Sequence, residues 1–538
     1  MGEINKNGKT FVRGAAIIAA AHVLIKLLGA LYKIPLDRMI LGTAGMGVYN
    51  AAYYIYNWMF VISTAGLPVA ISRMVSASSA LGQHRETEKI FSVARLFMLC
   101  IGLLGAAILF FGADLFAAAL NADAEGMNVA LSIRTLSPSI FFVALMSAYR
   151  GYTQGCGDMV PTAVSEIAEA VGKLGVGLVL AWALVSVSLD YGAAGAIGGV
   201  SCGAALGFLS ILCISRRVRR NGRMYAKGDT GTPRRRREIF QELFKTAVPI
   251  TLGASVFTLT SLIDTAMIFH LLDGIGYSEE VYYSLSGYLG RAVTMFNLPP
   301  TIVAAIAVSV VPSLAAALAV GDRKTAAQTA TAALRITVLI TVPCAIGLSV
   351  LAAPILGFVY NDANHSFLLN VMGIAVAFVT LVQVSNAILQ AHGRVWKPVV
   401  FMAVGALVKV VVNYVLVSRP EVNIYGAPVG TLLCYVTVMS LNLIEIRRIS
   451  DVRYDVGAFV FKPLVSGVVM GAAAFGVHTL LQAALGSSLA LIAAIGVGGV
   501  VYFAMLFLLR GISAEDVLLL PKGDALLHLF QKLHLMEE

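Results

Sequence analysis

The chain has 538 residues, 58% of them hydrophobic and only 13% charged, with a formal net charge of +10. Soluble domains carry about 25% charged residues, so this balance excludes a water-soluble enzyme and indicates an all-α polytopic membrane protein. The six cysteines, Cys100, Cys156, Cys202, Cys213, Cys344 and Cys434, form no CxxC pair, which leaves no basis for a disulfide framework or a zinc site.

At the N-terminus, lysines precede an apolar run that is long, holds Lys26 and lacks an A-x-A site in the right place. It is expected to be a retained first span rather than a signal peptide. In chain order, fourteen candidate spans of about 20 or more apolar residues follow from this pattern: 11–32, 47–72, 91–112, 128–150, 161–186, 190–215, 243–271, 281–311, 332–358, 366–390, 398–418, 424–446, 459–482 and 488–510. The last two divide Pro463–Leu509, which contains no Asp, Glu, Lys or Arg and has a turn signal at Leu485-Gly486-Ser487-Ser488. Even-numbered loops carry Arg85, Lys89, Arg323, Lys324, Arg394, Lys397, Arg447, Arg448 and Arg453, whereas the opposite loops are richer in acids such as Asp123, Asp273, Glu279 and Glu280. The positive-inside rule then places both termini in the cytoplasm.

The excess positive charge is concentrated at Arg216–Arg237, with ten Lys/Arg against one acid, Asp229. This reads as a cytoplasmic connector with affinity for anionic lipid headgroups. Nucleic acid is not an expected partner, because no folded domain surrounds the run. From Ser513, a Ser-x-x-Asp pattern and apolar residues at helical spacing (Leu526, Leu527, Phe530, Leu533) predict an amphipathic helix on the inner surface.

The sequence also repeats. Gln154–Pro161 (QGCGDMVP) matches Gln390–Pro398 (QAHGRVWKP), Tyr191-Gly-Ala-Ala-Gly matches Tyr425-Gly-Ala-Pro-Val-Gly, and the stretch around Gly82 matches the one around Gly321. Two parallel lobes of six spans are therefore expected, related by a pseudo-two-fold axis along the membrane normal: an N-lobe over 1–215, a connector over 216–240 and a C-lobe over 241–447. Spans 13 and 14 (448–510) and the tail (511–538) lie outside the repeat.

Soluble-enzyme motifs are missing. Gly8-Lys9-Thr10 lacks the leading glycine of a P-loop, and the eight histidines show no metal-ligand spacing. The informative residues are charges inside spans. Arg291 is the only formal charge in Val281–Val311, about 15 Å from the end of its helix and near the bilayer midplane. An arginine there costs at least ~2.5–3.5 kcal/mol and is expected to face a bundle interior or a water-filled cavity. Its alternative is a structural ion pair, with Asp264 of the preceding span as a partner. Lys26 either faces the same kind of cavity or snorkels outward. Glu166, Glu169 and Lys173 share one face of span 5, with Glu169–Lys173 at a favourable i,i+4 spacing, so they either line a site or form a neutralised packing stripe. Lys409, beside Asn413, is the repeat counterpart of Lys173. Gly195, Gly199, Gly203 and Gly207 form a small-residue face for close helix packing. A cavity lined by cations with few unpaired acids suits an anionic substrate such as a phosphate or diphosphate.

These features resemble the multidrug/oligosaccharidyl-lipid/polysaccharide exporter superfamily, and within it the branch of stage V sporulation protein B and the lipid II flippases. The resemblance is carried by Ile25-Lys-Leu-Leu-Gly29, Gly42-x-x-Gly45, Tyr288-Leu-Gly-Arg291 followed by Asn297-Leu-Pro-Pro300, and Val311-Pro-Ser-Leu314. It implies a bacterial plasma-membrane flippase for a lipid-linked anionic oligosaccharide, with lipid II as the first expectation. Arg291 and Lys26 match positions of the family's essential cavity arginines, which hold the diphosphate. A further such position falls near Tyr32, with Lys33 beside it, and a span-2 arginine has no counterpart between Val48 and Ser72. The resemblance further implies a lipid-tail groove at spans 13 and 14. The chain would act as a monomer without a cofactor, coupled to membrane potential or a sodium or proton gradient, with cell-wall synthesis proteins as partners. The alternatives are a flippase for another lipid-linked glycan, a multidrug exporter of the same superfamily, and a non-transporting scaffold of wall or spore-coat synthesis.

Overall fold

The computed structural model describes residues 21, 24–64, 66–119, 128–229, 232–319, 321–450, 460–509 and 511. Every regular element among them is helical. The chain begins with α1 (24–35) and a π-helical turn at Leu36–Leu41. It continues through α2 (Gly42–Thr64), α3 (Leu67–Ala80), α4 (His84–Phe111), α5 (Ala113–Ala119), α6 (Val129–Gly155), α7 (Val160–Leu184), α8 (Leu189–Gly228), α9 (Arg236–Gly274) and α10 (Glu279–Phe296). The remaining helices are α11 (Leu298–Ala319), α12 (Arg323–Val350), α13 (Ala352–Tyr360), α14 (Phe367–Ala391), α15 (Trp396–Val417), α16 (Gly426–Ile449) and α17 (Lys462–Leu508). Ten helices among the described residues are long and apolar enough to cross a membrane, and large apolar side chains such as Phe111, Leu480 and Leu508 stand more than 75% exposed on their surfaces. The protein is a multi-pass membrane protein. The expected fourteen spans count the compound stretch 24–79 and α17 twice each and include α9 and α10–α11, which lie outside those ten. The predicted tail helix over 513–538 lies outside the described residues.

The internal repeat is written into the turns. Gly82 and Gly321 have φ of 69° and 75°, and Gly157 and Gly393 have φ of 83° and 76°. At all four, the glycine amide bonds the carbonyl three residues back and the next amide bonds the carbonyl five back, as in Asp158 N to Thr153 O and Arg394 N to Leu389 O, both 2.9 Å. That is a Schellman cap, in which glycine takes the left-handed position without a Cβ penalty. The helices repeat as well. In each half, one span is broken before a Leu-Pro step (Gly66-Leu67-Pro68, Asn297-Leu298-Pro299), and the next long helix is followed by a short one, α5 or α13.

Packing divides the chain into one compact unit ending at Gly290 and a second beginning at Arg291. In the first, Ile71, Phe91, Met98, Tyr149, Tyr152, Ile211 and Leu243 belong to a common core. The glycine face of α8 packs backbone to backbone on α7: a Cβ on Gly199 would sit 2.3 Å from Gly177 Cα, and one on Gly203 would sit 2.5 Å from the Glu169 carbonyl. Helices α2 and the start of α10 approach equally closely. A Cβ on Gly47 would lie 2.3 Å from Tyr283 O, and one on Gly287 would lie 2.0 Å from Thr43 O. Thr43 Oγ1 and Ser284 Oγ share a hydrogen bond of 2.9 Å across the same contact.

The basic connector is not a slack loop. Helix α8 carries the backbone in regular form to Gly228, and the segment beyond it is bound to the α3–α4 turn. The Arg85 amide donates to Asp229 Oδ2 at 3.0 Å, the Lys89 ammonium donates to Pro233 O at 3.5 Å, and the Arg234 amide donates to Glu86 Oε2 at 2.7 Å. The Arg234 guanidinium also grips Glu86 and Glu242.

In the second unit, Val303, Leu334, Val338, Val384, Ile388 and Ile446 form the core of α11, α12, α14 and α16. Helix α17 reverses at Gly486, whose φ of 77° and ψ of 159° are non-helical. Ala474 therefore meets Leu491 and Ala494, and Met470 meets Tyr502 and Leu506. This hairpin docks on α12, where Gly467 abuts Val342 and Ile346 and the Tyr502 hydroxyl donates to Leu339 O at 2.8 Å.

Candidate functional site

In the first unit the charged face of α7 is split between two neighbours. Arg150, nearly buried on α6, donates through Nε to Ser165 Oγ at 3.0 Å and through Nη2 to Glu169 Oε2 at 3.1 Å, with Glu166 Oε1 3.9 Å from Nη1. Both glutamates of the stripe therefore face an arginine that sequence reading assigned only to the end of span 4. Lys173 goes the other way. Its ammonium lies 4.6 Å from the ring centroid of Tyr53, 5.2 Å from that of Tyr32 and 6.0 Å from that of Tyr49, and no carboxylate among the described residues pairs with it. The expected Glu169–Lys173 helix pair is replaced by a guanidinium clamp and a tyrosine cage. Cation–π contacts of this kind contribute up to about 2 kcal/mol each when desolvated.

The cage follows from spacing. Tyr49, Tyr53, Tyr56 and Phe60 recur at i, i+4, i+7 and i+11 along one face of α2 and stack in sequence with centroids 5.6–5.7 Å apart. The Tyr32 hydroxyl donates to Ala196 O at 2.8 Å, which anchors α1 against α8. Lys33 follows Tyr32 and lies within electrostatic reach of Lys173, Lys26 and one acid, Asp37. Lys26 is exposed on α1. The unit thus gathers three of the predicted lysines into one region.

In the second unit, Arg291 is 6% exposed and donates to Asp362 Oδ2 at 2.9 Å, with its guanidinium 5.1 Å from the Tyr360 ring centroid. The sequence offers Asp264 as an acid for Arg291; the described partner is Asp362, just past the end of α13. Next to Asp362, the His365 Nδ1 lies 2.7 Å from the Tyr425 hydroxyl. Burial pulls the His365 pKa below its ordinary 6.5, against the pull of Asp362. Lys409 stands on α15 one turn before the fully buried Asn413, whose Oδ1 would meet a Cβ on Gly430 at 2.1 Å. The structure places Asp264 on α9, in the first unit. Arg150, Asp362 and the tyrosine cage are the participants that sequence reading missed; of these, only the tyrosines left a legible signal, their helical spacing.

Comparison with known proteins agrees with this architecture. Residues 11–318 match the polysaccharide biosynthesis protein family. The chain is similar to the lipid II flippase MurJ of Bacillus subtilis (strain 168), 26% identical over 518 residues that cover 91% of this chain and 94% of that one. It is also similar to the stage V sporulation protein B of the same organism, 23% identical over 514 residues that cover 95% and 98%. The solved structure of a lipid II flippase MurJ in an inward closed conformation superposes with a TM-score of 0.67 at 16% identity, covering 93% of this chain and 98% of that one. With the family match spanning more than half of its length, the chain belongs to the polysaccharide biosynthesis protein family, and its fold is that of the multidrug/oligosaccharidyl-lipid/polysaccharide exporters.

Proposed function

We propose that this protein is a flippase that carries a polyprenyl-diphosphate-linked oligosaccharide, specifically lipid II, across a bacterial plasma membrane by alternating access. The observation that carries the reading is the convergence of Lys26, Lys33 and Lys173 in one unit with Asp37 as the acid among them. Tyrosine faces support Lys173 without neutralising it, so its charge stays available to a diphosphate. In the second unit, Arg291 offers a more conditional cation. Asp362 holds it at rest, and a diphosphate, offering more charge and bidentate geometry, is the kind of anion that can displace one carboxylate. Lys409 is the counterpart of Lys173 in the repeat, and the α17 hairpin, with its exposed apolar surface, receives the polyprenyl tail. Both termini are cytoplasmic, and a monomer carries out the cycle. The drive is the membrane potential or a sodium or proton gradient, where each unit charge moved across 100 mV is worth about 2.3 kcal/mol. Proteins of cell-wall synthesis are its partners in supply and use of the substrate.

The test is rescue of bacteria depleted of their lipid II flippase, with protein levels matched by immunoblot. Wild type is expected to restore growth, and Lys173→Ala and Arg291→Ala are expected to fail. Full rescue by both variants would sink the cationic site. Failure of the wild type itself, in cells where the protein reaches the membrane, would reject lipid II and leave another lipid-linked glycan as the substrate.

A further inference from the structure

A cavity of about 780 Å³ opens on the flank of the first unit between α4, α6, α8 and the start of α9. Its lining is apolar, with Leu96, Phe97 and Phe240 prominent, and three arginines stand at it: Arg95, Arg236 and Arg237. Phe97 and Phe240 meet edge to face at 4.9 Å between centroids, so the wall joining α4 to α9 is built rather than incidental. Leu96, Cys100 and Phe240 are exposed. The same face of α4 continues with exposed Leu103, Leu104 and Phe111, an apolar stripe that in a membrane protein meets acyl chains.

On that stripe Arg95 is out of place. It is six residues, or about 9 Å along the helix axis, beyond Lys89 at the connector contact. Its described contact is the Phe91 ring at 5.8 Å, and no acid among the described residues pairs with it. Arg236 and Arg237 likewise have no described carboxylate partner. The acids nearest in sequence are engaged elsewhere, Glu238 by the Arg235 amide and Glu242 by Arg234. The described lining holds three guanidinium groups and no carboxylate. Three cations around an apolar cavity of ligand size call for an anion with a hydrocarbon body.

We propose that this crevice binds an anionic phospholipid, its phosphodiester on Arg95, Arg236 and Arg237 and an acyl chain against Leu96 and Phe240. Basic pockets between membrane helices at the cytoplasmic face recognise such headgroups, and guanidinium forks match phosphate oxygens. The site is independent of the transported substrate and does not rest on the flippase reading.

The experiment is native mass spectrometry of the purified full-length protein with equimolar phosphatidylglycerol and phosphatidylcholine. The wild type is expected to retain phosphatidylglycerol preferentially. The triple variant Arg95→Gln, Arg236→Gln, Arg237→Gln should lower that retention by about tenfold or more. A control with the same loss of charge elsewhere, Arg394→Gln, Arg447→Gln, Arg448→Gln, should leave it within about twofold. Equal losses in both triples, or no loss in the first, overturn the proposal. Ser92→Trp fills the cavity and keeps every charge; it should also abolish the preference, and a preference that survives it overturns the seat of the acyl chain. Should the first triple fail to fold, the Ser92→Trp result decides alone.

Discussion

Gly287→Ala tests whether the contact between α2 and α10 closes as the structure has it. The added methyl would stand 2.0 Å from the Thr43 carbonyl oxygen, roughly 1.4 Å short of ordinary van der Waals contact. A backbone carbonyl in a helix cannot rotate away, so the two helices must separate, and the 2.9 Å Thr43–Ser284 hydrogen bond breaks with them. Overpacking of this kind costs about 1–3 kcal/mol, centred near 2; the assay below replaces both hydroxyls, so the hydrogen bond adds nothing to the difference it reads. On the alternating-access cycle proposed above, a penalty of about 2 kcal/mol confined to the state in which α2 and α10 touch shifts its population roughly thirtyfold. The assay is disulfide formation between Thr43→Cys and Ser284→Cys in membranes, in a chain whose native cysteines are replaced by serine. The oxidation rate should fall by about thirtyfold when Gly287→Ala is added. An unchanged rate would refute the close approach, and a rate lost together with overall thermal stability would show that the methyl damages the fold rather than the closed arrangement.

Other consequences are equally open to measurement. Asp362→Asn should lower the Tm by removing the carboxylate charge that faces Arg291 at 2.9 Å, and added pyrophosphate should restore it; restoration in Asp362→Asn/Arg291→Gln as well would show that the anion acts elsewhere. Arg150→Met should destabilise the protein by about 1–3 kcal/mol, because it leaves the half-buried carboxylate of Glu169 without its guanidinium. Arg150→Met/Glu169→Met should recover most of that loss in a thermal melt, and no recovery would count against the clamp. The His365 pKa is depressed, so the stability it contributes as neutral imidazole is complete above pH 6.5 and is lost as the pH falls through its lowered folded value. Tm should therefore decline on acidification below pH 6.5, and His365→Gln should flatten that decline; an identical profile in the variant would assign the titration to another group.

Much of the architecture was legible before any coordinates. Apolar periodicity located the helices, and the Gly82/Gly321 and Gly157/Gly393 pairs marked the repeat because left-handed caps need glycine at fixed offsets. The glycines of α8 declared a packing face that α7 fills. Partnership was less legible. Arg150 lies one helix and fifteen residues from Ser165, and Asp362 lies 71 residues from Arg291; no local spacing rule connects them. The Glu169–Lys173 pair illustrates the opposite error. An i,i+4 spacing that stabilises an exposed helix was outcompeted by a guanidinium reaching from α6 and by a tyrosine face on α2, because inside a membrane protein tertiary partners are dense and water is not there to compete.

The bound connector changes how the polypeptide can be cut. Asp229 on one side of the 230–232 stretch and Pro233–Arg234 on the other all grip the same five residues, Arg85–Lys89. Two chains divided within 230–232 should assemble when expressed together, and a soluble domain spliced in at the same place should ride on the protein without prising α8 from α9. Severance there should be tolerated, with the α3–α4 turn serving as a second, non-covalent splice.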